Sequence, residues 1–117
     1  MVGRGLNPPH IRFYISDYGF GHASRSIALM RALHASMNCT ISVRTETSAN
    51  FIRDSCPFVS VEKKRNDIGT VMHDSTSRVN RVETEKSLHH WISSWDTWMA
   101  EETAFCKECA VDLILSD

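Results

Sequence analysis

The sequence predicts a three-layer α/β domain in which a mainly parallel sheet is covered by helices on both faces. Two short β-branched and aromatic runs, residues 11–15 and 39–44, are typical of buried strands. Between them, apolar residues from Ala23 to Leu33 recur every three or four positions, which indicates a helix. A strand, helix, strand unit of this length forms a right-handed crossover, so we expect the two strands to be parallel.

Four strands are assigned in chain order. Residues 1–9 carry two glycines and two prolines, and we expect them to form a flexible leader before a single domain at residues 10–117. The predicted strands are residues 10–16, 39–44, 58–61 and 111–117. The predicted helices are residues 22–36, a short helix around residues 49–52, and a long helical stretch from residue 79.

The long helical stretch carries one apolar stripe with a helical period. Its members are Leu88, Trp91, Ile92, Trp95, Trp98, Met99, Phe105, Cys106 and Cys109. We expect this stripe to pack into the core, because a helix that covers a sheet needs bulky side chains on one face. The stretch runs for about 30 residues, longer than most globular helices, so a kink or break is predicted.

Composition argues against several classes of protein. The formal net charge is −1, so the chain lacks the basic footprint of a nucleic-acid-binding domain. No run reaches the roughly 18 apolar residues that cross a bilayer, and residues 1–9 lack the apolar segment of a signal peptide. We therefore expect a cytoplasmic protein whose four cysteines are reduced. Cys106 and Cys109 lack a second ligand pair, so no metal site is expected.

A glycine-rich turn at residues 17–25 lies between the first predicted strand and the first predicted helix. Gly19 and Gly21 have no Cβ, so they can adopt positive φ and let another group approach the backbone. The unpaired N–H groups and the positive dipole end of the following helix point into the turn. The turn therefore favours a phosphate or another anion.

His22 stands where the first helix is predicted to begin. Arg25 and Ser26 follow it at i+3 and i+4, so the three side chains share one edge of the helix start. An unperturbed imidazole has a pKa of about 6.5, close to neutral pH. A histidine beside an anion-binding turn can therefore take a proton from a hydroxyl group, and His22 is the candidate catalytic base.

Two common nucleotide-binding motifs do not fit this turn. A dinucleotide fingerprint that starts at Gly19 would need a glycine at position 24, where the chain has Ser24. A Walker A loop ends in Gly-Lys-Ser/Thr, which is absent here. A dehydrogenase or a P-loop NTPase is therefore disfavoured.

The fourth predicted strand ends with Ser116 and Asp117, the last residues of the sequence. The carboxyl ends of parallel strands meet at one edge of the sheet, where ligands bind. We therefore expect Asp117 to lie beside residues 19–22 and to take part in substrate binding. Because a loop and a helix normally follow such a strand, we expect this domain to be truncated after its fourth strand.

Residues 13–33, FYISDYGFGHASRSIALMRAL, resemble the opening of the GT-B glycosyltransferases. Within them, residues 19–25 are similar to the G-x-G-H-x-x-R signature of one branch of that family. The branch includes MurG-like enzymes and the glycosyltransferase-like front segment of sugar kinases such as arabinokinase. Members usually have Gly-His before the signature, whereas this chain has Asp17 and Tyr18.

The resemblance implies two Rossmann-like domains that face a cleft, with this chain as the N-terminal, acceptor-side lobe. A nucleotide-sugar donor, expected to be a UDP-sugar, would bind a C-terminal lobe, and its sugar would pass to a hydroxyl acceptor. By the same resemblance His22 is the base, and the signature residues Gly19, Phe20, Gly21, Ser24 and Arg25 bind substrate, the glycines facing the donor diphosphate. It implies no required metal or other cofactor, and this lobe alone would be inactive.

Two other interpretations stay open. The chain could be a non-catalytic sugar-sensing module, as the fused arrangement in some sugar kinases suggests. It could also be an interaction domain that docks through an open edge of the sheet. Exposed apolar area beside the strand that ends at Asp117 would favour the interaction domain.

Two polar segments are candidates for further contacts. We expect the basic run at residues 63–65 to be a solvated loop, with contact to an anionic acceptor or a membrane surface as the alternative. His73 and Asp74 could orient a sugar hydroxyl, although such a pair in a loop is more often polar surface.

Overall fold

The structure, a computed structural model, describes residues 7–73 and 77–117. The elements in chain order are β1 (His10–Tyr14), α1 (Gly21–Ser36), β2 (Thr40–Thr45), α2 (Ala49–Ser55), β3 (Ser60–Lys63), α3 (Arg81–Ser93), α4 (Trp95–Glu108) and β4 (Leu113–Ser116). The predicted α/β class is confirmed, because the four strands form one sheet with helices between them. Asp74 and most of the predicted leader lie outside the described residues.

The strand pairs of the sheet are parallel, and the strand order is β3-β2-β1-β4. In the register of β1, Phe13 lies opposite Val43 of β2 and Leu115 of β4. Parallel pairing places the carboxyl ends of all four strands at the same edge of the sheet. The glycine-rich turn leaves β1 at that edge, and β4 ends there.

One face of the sheet is apolar and packs against α1 and α2. Alternate residues of a strand point to the same face, which explains why Ile11, Phe13 and Ile15 are buried together. The same cluster includes Ile41 and Val43 of β2, Ala23, Ile27 and Met30 of α1, and Ile52 of α2. The helical period read in residues 23–33 therefore matches the observed core.

The opposite face of the sheet is polar. Arg12 of β1 and Arg44 of β2 are almost completely buried on this face, although arginine is rarely buried without a partner. Both guanidinium groups pair with Glu102 of α4, at 2.8 Å and 2.7 Å respectively. Helix α4 is thus attached to the sheet through a buried ionic cluster.

The prediction that the apolar stripe of residues 88–109 forms core is wrong. The predicted break is confirmed at Ser94, between α3 and α4. Yet in these two fully described helices Glu102 is the one buried residue. The large apolar side chains left exposed include Leu88, Ile92, Trp95 and Met99. Because the sheet face beneath α4 carries arginines, the helix turns its glutamate toward the sheet and leaves much of the stripe in solvent.

Element boundaries shift by one to three residues from the predicted ones. Helix α1 begins at Gly21 rather than His22, and β3 begins at Ser60 rather than Phe58. Phe58 and Val59 pack against the core ahead of that strand. Such shifts are common, since element ends are set by local backbone hydrogen bonds. In the described part of the chain, the structure contains no helix with the length and apolar character needed to cross a membrane.

Candidate functional site

The carboxyl edge of the sheet brings three predicted site residues together. His22 Nδ1 lies 3.0 Å from Asp117 Oδ1, and Arg25 Nη2 lies 2.9 Å from the same oxygen. Arg25 Nη2 also lies 2.9 Å from His22 Nδ1. The predicted placement of Asp117 beside the helix start is therefore confirmed, while the chemical role of each residue stays a prediction.

Backbone pairing explains why Asp117 reaches this position. Its N–H donates to the Tyr14 carbonyl at 2.9 Å, and its own carbonyl accepts from Ser16 N–H at 2.7 Å. These bonds continue the parallel pairing of β1 and β4 beyond the regular strands. Since α1 starts above the same end of β1, its first turn meets the Asp117 side chain.

At this site the negative carboxylate of Asp117 offsets the positive guanidinium of Arg25. The hydrogen bond from Arg25, followed by the contact with His22, lowers the pKa of the Asp117 carboxyl below its usual value. The same carboxylate raises the pKa of Arg25. All three side chains remain open to solvent, with exposed fractions of 36% for His22, 66% for Arg25 and 34% for Asp117. A ligand can therefore reach each of them.

The glycine-rich turn is built around one left-handed residue. Gly19 has a φ of 86°, which an L side chain rarely adopts. Gly21 does not need positive φ, and a Cβ placed on it would meet nothing within 4 Å. Phe20 is the N-cap of α1 and makes no side-chain capping bond. The N-cap side chain thus leaves the first N–H groups of this 16-residue helix uncapped.

Aromatic side chains stand beside the turn. Phe20 is exposed and meets Phe51 of α2 edge to face, with ring centroids 5.8 Å apart. Tyr18 lies over Gly69, where an added Cβ would fall 2.0 Å from the Tyr18 ring. Ser24 is exposed on the first turn of α1. Phe20 and Ser24, two residues of the predicted signature, therefore present exposed side chains beside the anion-favouring turn.

Asp17 holds the loops at this edge in place, a role that the sequence reading missed. Its Oδ1 accepts from Glu46 N–H at 2.6 Å and Thr47 N–H at 3.0 Å, and from the Thr45 hydroxyl at 3.1 Å. Its Oδ2 accepts from Asn66 N–H at 2.8 Å. Asp17 therefore joins the loops that follow β1, β2 and β3. An aspartate directly after a strand is the signal that could have indicated this role.

An open cleft of about 1010 Å³ starts at the His22 and Asp117 pair. Its polar end includes Ser16 and Asp67, whose side chains are joined by a 2.6 Å hydrogen bond. Its walls are largely apolar and come from α4, β4 and the loop between them, with Trp98, Met99, Cys106, Val111 and Ile114 among them. A ligand of this cleft can present a polar group to His22 and an apolar body to α4 and β4.

The inner wall of the cleft rests on the buried ionic cluster. Burial alone would raise the pKa of Glu102, but hydrogen bonds from Arg12 and Tyr14 lower it below the usual value. Burial, followed by the contact with Cys106, raises the pKa of Tyr14. The guanidinium of Arg12 lies 3.8 Å from the Phe105 ring centroid, which adds a cation–π contact. The apolar stripe is interrupted by a glutamate at position 102, and this interruption was the one feature of the sequence that indicated the ionic cluster.

The remaining candidates do not line the cleft. The basic run ends in Arg65, whose side chain pairs with Glu46 at 3.1 Å on an exposed surface. His73 is exposed and is not among the cleft residues. Of the three tryptophans, only Trp98 lines the cleft. Within residues 7–73 and 77–117, no group of three His, Cys, Asp or Glu side chains is placed to hold a metal ion.

Comparisons of this chain with family models, with curated proteins and with solved structures found no match.

Proposed function

We propose that this chain is the acceptor side of a glycosyltransferase that moves a sugar from a nucleotide-sugar donor to a hydroxyl acceptor. The observation that carries the proposal is the pairing of His22 with Asp117 at the mouth of an open cleft. A carboxylate hydrogen-bonded to one ring nitrogen holds the imidazole in place. Among the described residues, no group hydrogen-bonds to the other nitrogen, Nε2.

In the proposed reaction, the acceptor hydroxyl gives its proton to His22 Nε2. The hydroxyl oxygen then forms a bond to the anomeric carbon of the donor sugar. The bond from that carbon to the diphosphate oxygen breaks, and its electron pair stays on the diphosphate. A positioned general base typically contributes a factor of about 10²–10⁴ to the rate.

The turn supports the departing diphosphate in this proposal. The start of α1 favours negative charge, because the first N–H groups of the helix and the positive end of its dipole point into the turn. Arg25 adds a solvent-exposed positive charge near the same end of the helix. The donor is proposed to be a UDP-sugar, on the sequence resemblance alone, and its nucleoside is held by a second lobe.

Turnover of the protein in its full natural length tests the proposal. A panel of nucleotide sugars is combined with hydroxyl acceptors, and release of free nucleotide is followed for the native protein and for His22→Ala. We expect the rate to fall by about 10²-fold or more in the variant, because the base is lost. His89→Ala is the matched control, since His89 is an exposed histidine of α3 away from the cleft.

The outcomes separate the candidate functions. A full rate in His22→Ala would remove this residue from the mechanism. Turnover in neither protein, with sugar binding retained in both, would instead favour the sugar-sensing module.

The interaction domain is a second candidate, because a specific observation favours it. Leu113 and Ile114 of β4 are 50% and 52% exposed, and as neighbours in a strand they lie on opposite faces of the sheet. In the described part of the chain β4 pairs only with β1, so one of its edges is open. An apolar strand with a free edge is a surface suited to another polypeptide.

A further inference from the structure

Two partners compete for one nitrogen of His22. Asp117 Oδ1 lies 3.0 Å from Nδ1 and can only accept a hydrogen bond. Arg25 Nη2 lies 2.9 Å from the same Nδ1 and can only donate. A neutral imidazole nitrogen either carries a proton or offers a lone pair. Nδ1 therefore cannot satisfy both neighbours at once.

Each neighbour favours a different tautomer of the ring. When Nδ1 carries the proton it donates to Asp117, and Nε2 has the lone pair that a base needs. When Nδ1 has the lone pair it accepts from Arg25, and Nε2 carries the proton and cannot act as a base. The partner that Nδ1 bonds thus decides which nitrogen of His22 is basic.

We propose that Arg25 is a positioning residue that holds His22 in the Nε2–H tautomer until an anion, of the diphosphate class, draws the guanidinium away. Departure of Arg25 leaves Asp117 as the partner of Nδ1. The proton on Nε2 then leaves to solvent while Nδ1 takes one up, so the proton count of the ring does not change. This inference rests on the proposed role of His22 as the base.

The geometry allows Arg25 to move. Its side chain is 66% exposed, and the described residues that it hydrogen-bonds are His22 and Asp117. Exposed ion pairs contribute little to stability. A diphosphate offers several charged oxygens in the fork geometry that a guanidinium prefers, so it can compete with a single carboxylate. The consequence is a base that becomes active only when the anionic substrate has arrived.

Nitrogen NMR of the full-length protein tests the switch directly. The histidines are labelled with ¹⁵N, and the His22 signals are identified by their loss in His22→Gln. Long-range ¹H–¹⁵N spectra then distinguish the two neutral tautomers and the imidazolium. We expect the Nε2–H pattern for the native protein and a change to the Nδ1–H pattern when inorganic pyrophosphate is added. Sodium chloride at equal ionic strength should leave the pattern unchanged.

Arg25→Met removes the competing donor without removing a core side chain. We expect this variant to show the Nδ1–H pattern without any anion, and Arg25→Met combined with Asp117→Ala to return to Nε2–H. An Nδ1–H pattern in the free native protein would overturn the proposal, as would an Nε2–H pattern in Arg25→Met. A native spectrum that pyrophosphate leaves unchanged would overturn the anion step.

The two proposals can fail separately. If the tautomer switch is observed but nucleotide sugars are not turned over, the contact between Arg25 and His22 stands and the transferase function fails. If turnover depends on His22 but the tautomer is the same with and without Arg25, the transferase function stands and the switch fails.

Discussion

Single residues set the shape of the candidate site, and Asp17 shows this most clearly. It is one carboxylate with four hydrogen-bond donors, three of which are backbone N–H groups of neighbouring loops. Backbone N–H groups that lose their partner while shielded from water are costly. The loops that follow β1, β2 and β3 are therefore held together by a residue that has no proposed role in the chemistry.

We predict that Asp17→Ala lowers the free energy of unfolding by about 3 kcal/mol, since several donors lose a charged acceptor. Urea denaturation at neutral pH measures the change. Asp54→Ala is the matched control, because the Asp54 side chain is exposed on α2 and makes no hydrogen bond or ion pair with the described residues; we expect it to stay within about 0.5 kcal/mol of the native protein. Equal stability of the two variants would show that Asp17 does not hold the loops.

At the scale of elements, α4 and the sheet are joined by charge rather than by the apolar stripe. Glu102 faces two arginines from the two central strands, and Tyr14 donates to the same carboxylate at 2.8 Å. Removing one member of a buried ion pair leaves a buried charge without a counter-charge, whereas in the complete cluster each buried charge has a partner of opposite sign. Attachment of the cleft wall therefore depends on Glu102.

We predict that Glu102→Gln lowers the free energy of unfolding by about 3–5 kcal/mol at neutral pH, because Arg44 loses the carboxylate it pairs with and Arg12 keeps only Glu62. Glu101→Gln is the control, since its side chain is exposed one position away on α4. Urea denaturation of both variants measures the effect. If the two variants are equally stable, the cluster does not hold α4.

Glu102 also makes the stability of the folded chain depend on pH. Its pKa is lower in the folded chain than the ordinary 4.5, so the unfolded chain binds the proton more readily in acid. The stability that Glu102 contributes is thus present above that ordinary pKa and is lost as the pH falls through the lower folded value. Repeating the urea series in acid should show this loss in the native protein and a smaller one in Glu102→Gln.

At the scale of the whole molecule, the chain is more extended than a closed domain. Its Cα radius of gyration is 16.5 Å, whereas a compact domain of about 100 residues has about 13 Å. Exposed apolar side chains on α3, α4 and β4 agree with this shape. The molecule therefore offers a large apolar surface next to its candidate site.

We predict that the protein associates in solution through the β4 side of this surface. Sedimentation over a range of concentrations should show association that Ile114→Ser weakens about tenfold, the effect of truncating one well-placed interface side chain. Val82→Ser is the control, because Val82 is also an exposed apolar residue but belongs to α3. A native protein that stays monomeric throughout would count against the interaction domain.

The sequence by itself determined the elements whose patterns are local. The β-branched runs, the helical period of residues 23–33 and the turn chemistry at Gly19 depend on neighbours in the chain, so the parallel sheet and its apolar face could be predicted. The meeting of Asp117 with His22 could also be predicted, because parallel strands share one carboxyl edge.

Only the tertiary structure decided what lies on the second face of the sheet. A periodic apolar stripe does not reveal which surface it will meet, and here that surface carries Arg12 and Arg44, so Glu102 became the buried residue. The Asp17 contacts and the competition of Arg25 with Asp117 for His22 Nδ1 likewise join residues from distant parts of the chain. Charged groups acquire such roles from partners that folding brings within hydrogen-bond distance, and no local pattern specifies those partners.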